Sequence, residues 1–152
     1  MERKYAIFAV RPSIAEALVQ GQKGVEFRRV RPSLGPGAII YVYSSSPVRA
    51  IIGTFLSGDI VSGAPNSLWK RFAAVAGIPR PLFASYFDGS ARGCAIIVEQ
   101  PRVWRTPLSL DGIRGHIPRF RPPQSYMFMG EGDPLLSLLT SYSSNGAKAY
   151  RA

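Results

Sequence analysis

Six apolar or small residues, Tyr5-Ala6-Ile7-Phe8-Ala9-Val10, open the pattern and predict a first strand. Pro12 then takes the first turn of a helix, with Ser13 near its cap. Ile14, Ala17 and Leu18 recur at helical spacing, and Gly21 ends this short helix. Val25-Glu26-Phe27-Arg28 changes the period: apolar and charged residues alternate, as in a strand with one face in a core. Gly35-Pro36-Gly37 turns the chain into a dense apolar strand, Ala38 to Tyr43, buried on both faces. Ser44-Ser45-Ser46-Pro47 follows as a loop. Val48 to Ile60 reads as a long strand with Gly53 and Gly58 at bends or bulges.

Two helices come next. Asn66 or Ser67 is placed to cap the first, whose face is Leu68, Trp69, Phe72, Val75 and Ala76, and Gly77 stops it. Pro79 opens the second, with Leu82, Phe83, Tyr86 and Phe87 at helical spacing before Gly89. Ala95 to Val98 is a strand, extended toward Trp104 with Pro101 at an edge or bulge. Pro107 to Leu110 is a connector and His116 to Arg121 is irregular. Tyr126 to Met129 is the last strand, and Asp133 caps a helix from Pro134 to Tyr142.

Five or six short strands with tight turns and inserted helices predict an α+β chain. Its architecture is a mixed or antiparallel barrel with flanking helices. A doubly wound dinucleotide fold needs regular β-α-β alternation and a Gly-rich phosphate loop, and neither is present. At 152 residues the chain fits one domain, read as residues 1–142, with 143–152 as a polar tail.

Charge sharpens this picture. Lys and Arg total 19 against 9 Asp and Glu, a formal net charge of +10, and arginine dominates. Guanidinium pairs bidentately with phosphate and stacks on bases, which favours a nucleic-acid or nucleotide partner. One cysteine, Cys94, cannot form an internal disulfide, which predicts a reducing, cytoplasmic setting. With His116 as the only histidine, neither a Cys/His zinc site nor a histidine-based triad is expected. No pattern calls for a cofactor, no apolar run is long enough for a membrane span, and nothing sets an oligomeric state.

The segment Gly21-Gln22-Lys23-Gly24-Val25-Glu26-Phe27-Arg28-Arg29 concentrates the candidate chemistry. Glu26 and Arg28 lie two apart on a strand and share a face, with Lys23 just ahead. Such a trio suits a polar heterocycle: the cations meet phosphate or carbonyl oxygens and the carboxylate accepts from an exocyclic amine. A plain Glu–Arg surface pair is equally compatible with the spacing. The hydroxyls of Ser44 and Ser45 are placed to reach a cleft mouth. Gln124, Ser125 and Tyr126 precede the last strand, with Gln as a base reader and Tyr as a stacking platform. Trp104 lies between Arg102 and Arg105 and suits either a core or a stacking surface. Arg29 and Arg31 follow the candidate strand; with Arg119 and Arg121 they would form a phosphate track if both runs flank one cleft.

In order along the chain, these pieces resemble the ASCH domain family of the PUA-like superfamily. The matching residues are Gly21-x-Lys23-x-x-Glu26-x-Arg28, Gly37, Tyr43-Ser44-Ser45 and Pro47-Val48-x-Ala50-Ile51-Ile52-Gly53. Tyr86-Phe87-x-Gly89 and Pro122-Pro123-Gln124-Ser125-Tyr126 complete the set, which spans residues 5 to 129. The resemblance implies a PUA-like mixed β-barrel with a cleft against the first helix, faced by Lys23, Glu26 and Arg28, and it implies RNA binding. Some small members hydrolyse an acylated cytidine with the motif's lysine, a Thr and a separate Glu; others are ribonucleases. Here Lys23 would be the catalytic lysine of such an enzyme, Glu26 stands where the Thr is expected, and Glu99 is the candidate second acid. Three readings follow: an RNA- or nucleotide-binding module, a hydrolase of an acylated nucleoside or RNA, and a docking module using an apolar patch on the 66–89 helices.

Overall fold

The computed structural model describes residues 3–144, so most of the expected polar tail lies outside the described residues; Ser143 and Ser144 complete the last helix. The described elements run β1 (Tyr5–Val10), α1 (Pro12–Val19), β2 (Val25–Arg28), β3 (Ile39–Ser44), β4 (Ala50–Gly63), α2 (Pro65–Phe72), α3 (Arg80–Tyr86), β5 (Gly93–Ser109), α4 (Leu110–Arg114), β6 (Tyr126–Met129) and α5 (Pro134–Ser144). A single 3-10 turn, Ala73–Val75, extends α2. The fold is α+β, as the sequence predicts.

All six strands form one mixed sheet in the order β2-β5-β4-β3-β1-β6. β1 runs parallel to β3; every other neighbouring pair is antiparallel. β4 and β5 are long enough to serve both halves of the sheet, and their register shifts three times. Each shift bends the pair and increases its twist. Gly53 sits at one of them, where an added Cβ would fall 2.1 Å from the Arg102 carbonyl oxygen, so no larger residue fits. Gln100, at another, takes a φ of 46°. The sheet therefore curls into a half-barrel, and its edges come round toward each other. Arg28 on edge strand β2 donates from Nη1 to Ser125 Oγ, just ahead of edge strand β6, at 2.7 Å.

β5 differs from expectation. It runs unbroken past Pro101 and Pro107 to Ser109. The prolines are tolerated because they fall where the ladder with β4 is irregular, between Glu99 and Arg102 and between Val103 and Leu108. The helix starts also differ. α2 begins at Pro65 with Ala64 as N-cap, so neither Asn66 nor Ser67 caps it; proline's fixed φ sets the first turn earlier. Asp133 does cap α5, accepting from Leu135 N–H at 2.9 Å.

Three apolar clusters pack on the sheet. One lies under α1, around Phe8, Leu18, Ile40 and Phe55. A second, under α4 and α5, holds Trp104, Ile113, Phe120 and Leu139. The third joins α2 and α3 to β2 and β5 through Phe27, Phe72, Phe83 and Phe87. Trp104 is therefore core: it is 1% exposed and meets Tyr41 edge-on. Val75, expected on the buried face of α2, instead lies outward.

Candidate functional site

The Gly-x-Lys-Gly stretch is a joint between two elements. Gly21, at φ 79°, closes α1, and Lys23 N–H returns to the Ala17 carbonyl at 3.1 Å. Gly24 donates to Val75 O at 2.8 Å, where an added Cβ would lie 2.9 Å from the Val75 Cβ. Lys23 is buried: Nζ donates to the Ala76 carbonyl at 2.8 Å and sits 4.7 Å from the centre of the Phe27 ring. The motif's lysine thus stitches the chain entering β2 to the end of α2.

All four residues of β2 are buried, because its apolar face meets the α2–α3 cluster while its charged face closes the seam. On that face Glu26 Oε2 and Arg28 Nη2 pair at 3.0 Å. The Arg28 guanidinium stacks over Phe8, 4.5 Å from the ring centre. Its Nε is covered without a hydrogen-bond partner, and Nη2 meets the Glu26 carboxylate as an ion pair without hydrogen-bond alignment. Ser125, the partner of Nη1, is itself held by Ala9 N–H, which donates to the Ser125 carbonyl at 2.9 Å.

This clasp lies in a hollow of about 850 Å³. Arg11 at the N-cap of α1 and Ile14 within it line the hollow, together with Ile78, Leu82 and Tyr86. Tyr43, Ser45, Ser46 and Arg49 come from the end of β3 and its turn, and Pro122 to Ser125 complete the rim. Arg49 holds a left-handed backbone at φ 51°, an uncommon conformation for a side chain this large. Arg29 stacks its guanidinium 4.8 Å from the Tyr86 ring centre.

Of the candidate residues, Lys23, Glu26, Arg28, Arg29, Ser45, Gln124 and Ser125 line this hollow. Ser44 does not: it is buried on the other side of the strand end. Tyr126 turns into β6 and packs between Phe8 and Phe128. Arg31 is directed away, donating to the Ile60 carbonyl and to Ser62 Oγ, both at 3.1 Å. Arg119 and Arg121 line a separate, smaller hollow. Glu99 instead packs where a Cβ at Gly58 would meet it. Tyr43 and Arg49 also line the hollow, and the sequence singles out neither for chemistry. Tyr43 ends an apolar run and reads as core; Arg49 carries no local pattern.

Burial raises the Tyr43 phenol above its ordinary 10.0, with Arg49 and then Arg114 opposing the shift. No hydrogen bond among the described residues occupies that hydroxyl, so it is a protonated donor open to the hollow. Burial lowers the Lys23 pKa from 10.5, and Glu26 restores part of it. Below 10.5 the unfolded chain therefore binds more protons than the folded one, and stability should rise with pH across that window. Lys23→Met should abolish this contribution. Urea unfolding of both proteins at several pH values from neutral up to about 10 checks it; equal slopes would refute it. Cys94 is fully buried, which pushes its thiol upward and leaves it no nucleophilic role.

Among the described residues no group of three or more His, Cys, Asp or Glu is placed to hold a metal ion, and no helix is long and apolar enough to cross a membrane.

No family model matches the sequence. An ASCH domain-containing ribonuclease from Zymomonas mobilis is 34% identical over 128 residues, covering 84% of this chain and 86% of that protein. The crystal structure of ASCH from Zymomonas mobilis has a TM-score of 0.83 at 32% identity, over 91% of this chain and 96% of that one. Its Tyr-to-Phe variant gives 0.84, over 91% and 98%. Human THYN1, crystallised with DNA containing 5-methylcytosine, shares the fold alone, at TM-score 0.59 and 11% identity over 91% and 96%. The Zymomonas likeness extends over most of both chains and joins sequence to fold, and on that basis this chain belongs to the ASCH domain family, with its PUA-like architecture.

Proposed function

We propose that the seam hollow takes one nucleotide unit of an RNA strand and that the protein cleaves the strand there. The observation that carries this reading is the mix of groups around one cavity: a buried, clasped carboxylate–guanidinium pair, apolar walls from α1 and α3, and a phenol beside an arginine at the end of β3. Ile14, Ile78 and Leu82 suit the faces of a base, and Glu26 accepts from an exocyclic amine on its edge. Glu26 also repels phosphate from the inner end, so the phosphodiester stays at the mouth with Arg49 and Arg29. The related Zymomonas protein is a ribonuclease, which supports the same class of substrate here.

Cleavage needs little from the protein beyond placement and charge. The 2′-hydroxyl attacks the adjacent phosphorus and releases its proton to solvent. The bond from phosphorus to the 5′-oxygen breaks, and the Tyr43 hydroxyl gives its proton to that oxygen and then regains one from solvent. The products are a 2′,3′-cyclic phosphate and a free 5′-hydroxyl. Arg49 balances the charge that gathers on the phosphoryl oxygens. Lys23 stays out of this step, its amine committed to the Ala76 carbonyl.

The experiment is cleavage and binding of a single-stranded RNA beside the DNA of the same sequence. RNA should yield the cyclic phosphate and DNA, lacking the 2′-hydroxyl, should survive. RNA affinity should weaken with salt by a slope of about 0.7 per phosphate held. DNA cut as fast as RNA, or RNA neither bound nor cut, would sink the proposal. Glu26→Gln, which keeps shape and removes the charge, should weaken binding roughly 10-fold, within the range of a hydrogen bond to a charged group.

The acylated-nucleoside reading needs a free lysine, and Lys23 is tied. The docking reading needs a continuous exposed apolar patch on the 66–89 segment, where Val75 is the one exposed large hydrophobic among the described residues.

A further inference from the structure

We infer that the RNA-binding surface continues past the seam hollow, and that a second hollow beside it, framed by Arg114, Arg119 and Arg121, is the subsite for the next phosphate along the strand. This rests on reading the seam hollow as the nucleotide site.

The second hollow measures about 590 Å³ and is lined by Arg114 and the run Pro118 to Arg121. Two chain segments connect it to the first. Residues 118–121 line the second hollow, and Pro122 to Ser125, which follow directly, line the first. Helix α4 does the same, with Leu110 at the first hollow and Arg114 at the second. Five helical residues span only about 7 Å, so the two hollows lie a short step of backbone apart. The Arg114 charge also reaches the Tyr43 phenol, which lines the first hollow.

The subsite is built rather than incidental. Phe120 is buried in the α4–α5 cluster and anchors the loop. Arg114 Nε donates to the Phe120 carbonyl at 3.1 Å, Phe120 N–H to Ile117 O at 3.0 Å, and Ile117 N–H to Ile113 O at 2.8 Å. Arg119 and Arg121 flank that anchor, and both are exposed. Among the described residues neither makes an ion pair or a hydrogen bond. Two unpaired guanidiniums on a fixed loop match phosphate, which they can hold bidentately at low ordering cost. Pro122 and Pro123 stiffen the wall between the hollows. No carboxylate lines the second hollow, so no acid repels a phosphate there and its charged groups hold backbone without reading bases.

Binding of 2′-O-methyl oligoribonucleotides of one, three and six nucleotides, which cannot be cleaved through the 2′-oxygen, tests this on the full chain. Affinity should rise at least ~10-fold from one nucleotide to three, as expected when further phosphates are neutralised. Arg119→Gln with Arg121→Gln should remove that gain, lower the salt slope by about 0.7 for each phosphate no longer held, and leave mononucleotide binding intact. Arg80→Gln with Arg92→Gln, an equal charge change at exposed positions elsewhere, should keep the gain. The inference fails if the 119/121 variant keeps the length gain, if the 80/92 variant loses as much, or if mononucleotide binding falls equally. Mononucleotide binding with no length gain in the unaltered protein also refutes it while sparing the seam reading; no binding at any length removes both.

Discussion

Arg28→Ala should destabilise the protein by about 3–5 kcal/mol, the range for removing one partner of a buried ion pair. Both side chains are over nine-tenths buried, so no water compensates the carboxylate that remains. Three interactions go at once: the pair with Glu26, the bond to Ser125 across the seam, and the stacking on Phe8. For a chain of this size each kcal/mol moves Tm by roughly 2–4 °C, so a fall on the order of 10 °C is expected in thermal unfolding. The control is Glu26→Leu with Arg28→Met, which removes both charges and keeps volume. It should recover most of the stability, because the largest cost of the single change is an orphaned charge. A double variant as unstable as Arg28→Ala would show that the bond across the seam, not the ion pair, dominates. RNA binding should disappear in both, which separates the pair's part in folding from its part in recognition.

How much of this the chain announces differs from residue to residue. The alternation in Val25-Glu26-Phe27-Arg28 correctly places the acid and the guanidinium on one face, since a period of two needs no long-range information. What that face meets is not local. Ser125 lies 97 positions away and reaches Arg28 only because bulges in β4 and β5 curl the sheet. The serines are a local matter by contrast. The β3–β4 register slips between Val42 and Tyr43, but the extra residue, Ile52, lies in β4, so alternation along β3 is unbroken. Period two alone puts Tyr43 and Ser45 on the hollow's side and Ser44 on the buried one, which reading 44–46 as a loop hides. Arg119 and Arg121 are legible as a basic run, yet Phe120 pins them to another cluster, and the run frames its own hollow. The helices α1 to α3 are readable from spacing and proline, whereas their caps are not: Arg11, Ala64 and Pro79 hold the N-cap positions without a side-chain hydrogen bond, and a proline in each first turn presets φ there.

Tyr43→Phe should lower the rate of RNA cleavage by about 10²–10⁴, the usual contribution of a positioned proton donor, with RNA affinity nearly unchanged. The ring stays, the fold keeps its packing, and no hydrogen bond within the described residues is broken. Only the proton for the departing 5′-oxygen disappears. Because burial holds the phenol above 10.0, Tyr43 remains protonated through neutral pH, so cleavage by the unaltered protein should show no decline in rate until the medium is more alkaline than that. The decisive substrate carries sulfur in place of the 5′-bridging oxygen. A thiolate leaves without being protonated, so Tyr43→Phe should cleave this RNA at close to the rate of the unaltered protein. Cleavage of ordinary RNA at full rate by the variant would remove Tyr43 from the reaction. An equal defect on both substrates would mean that the hydroxyl positions the strand instead of supplying the proton. Arg49 separates the two cases further: the charge on the phosphoryl oxygens is the same for either leaving group, so Arg49→Gln should slow both substrates alike.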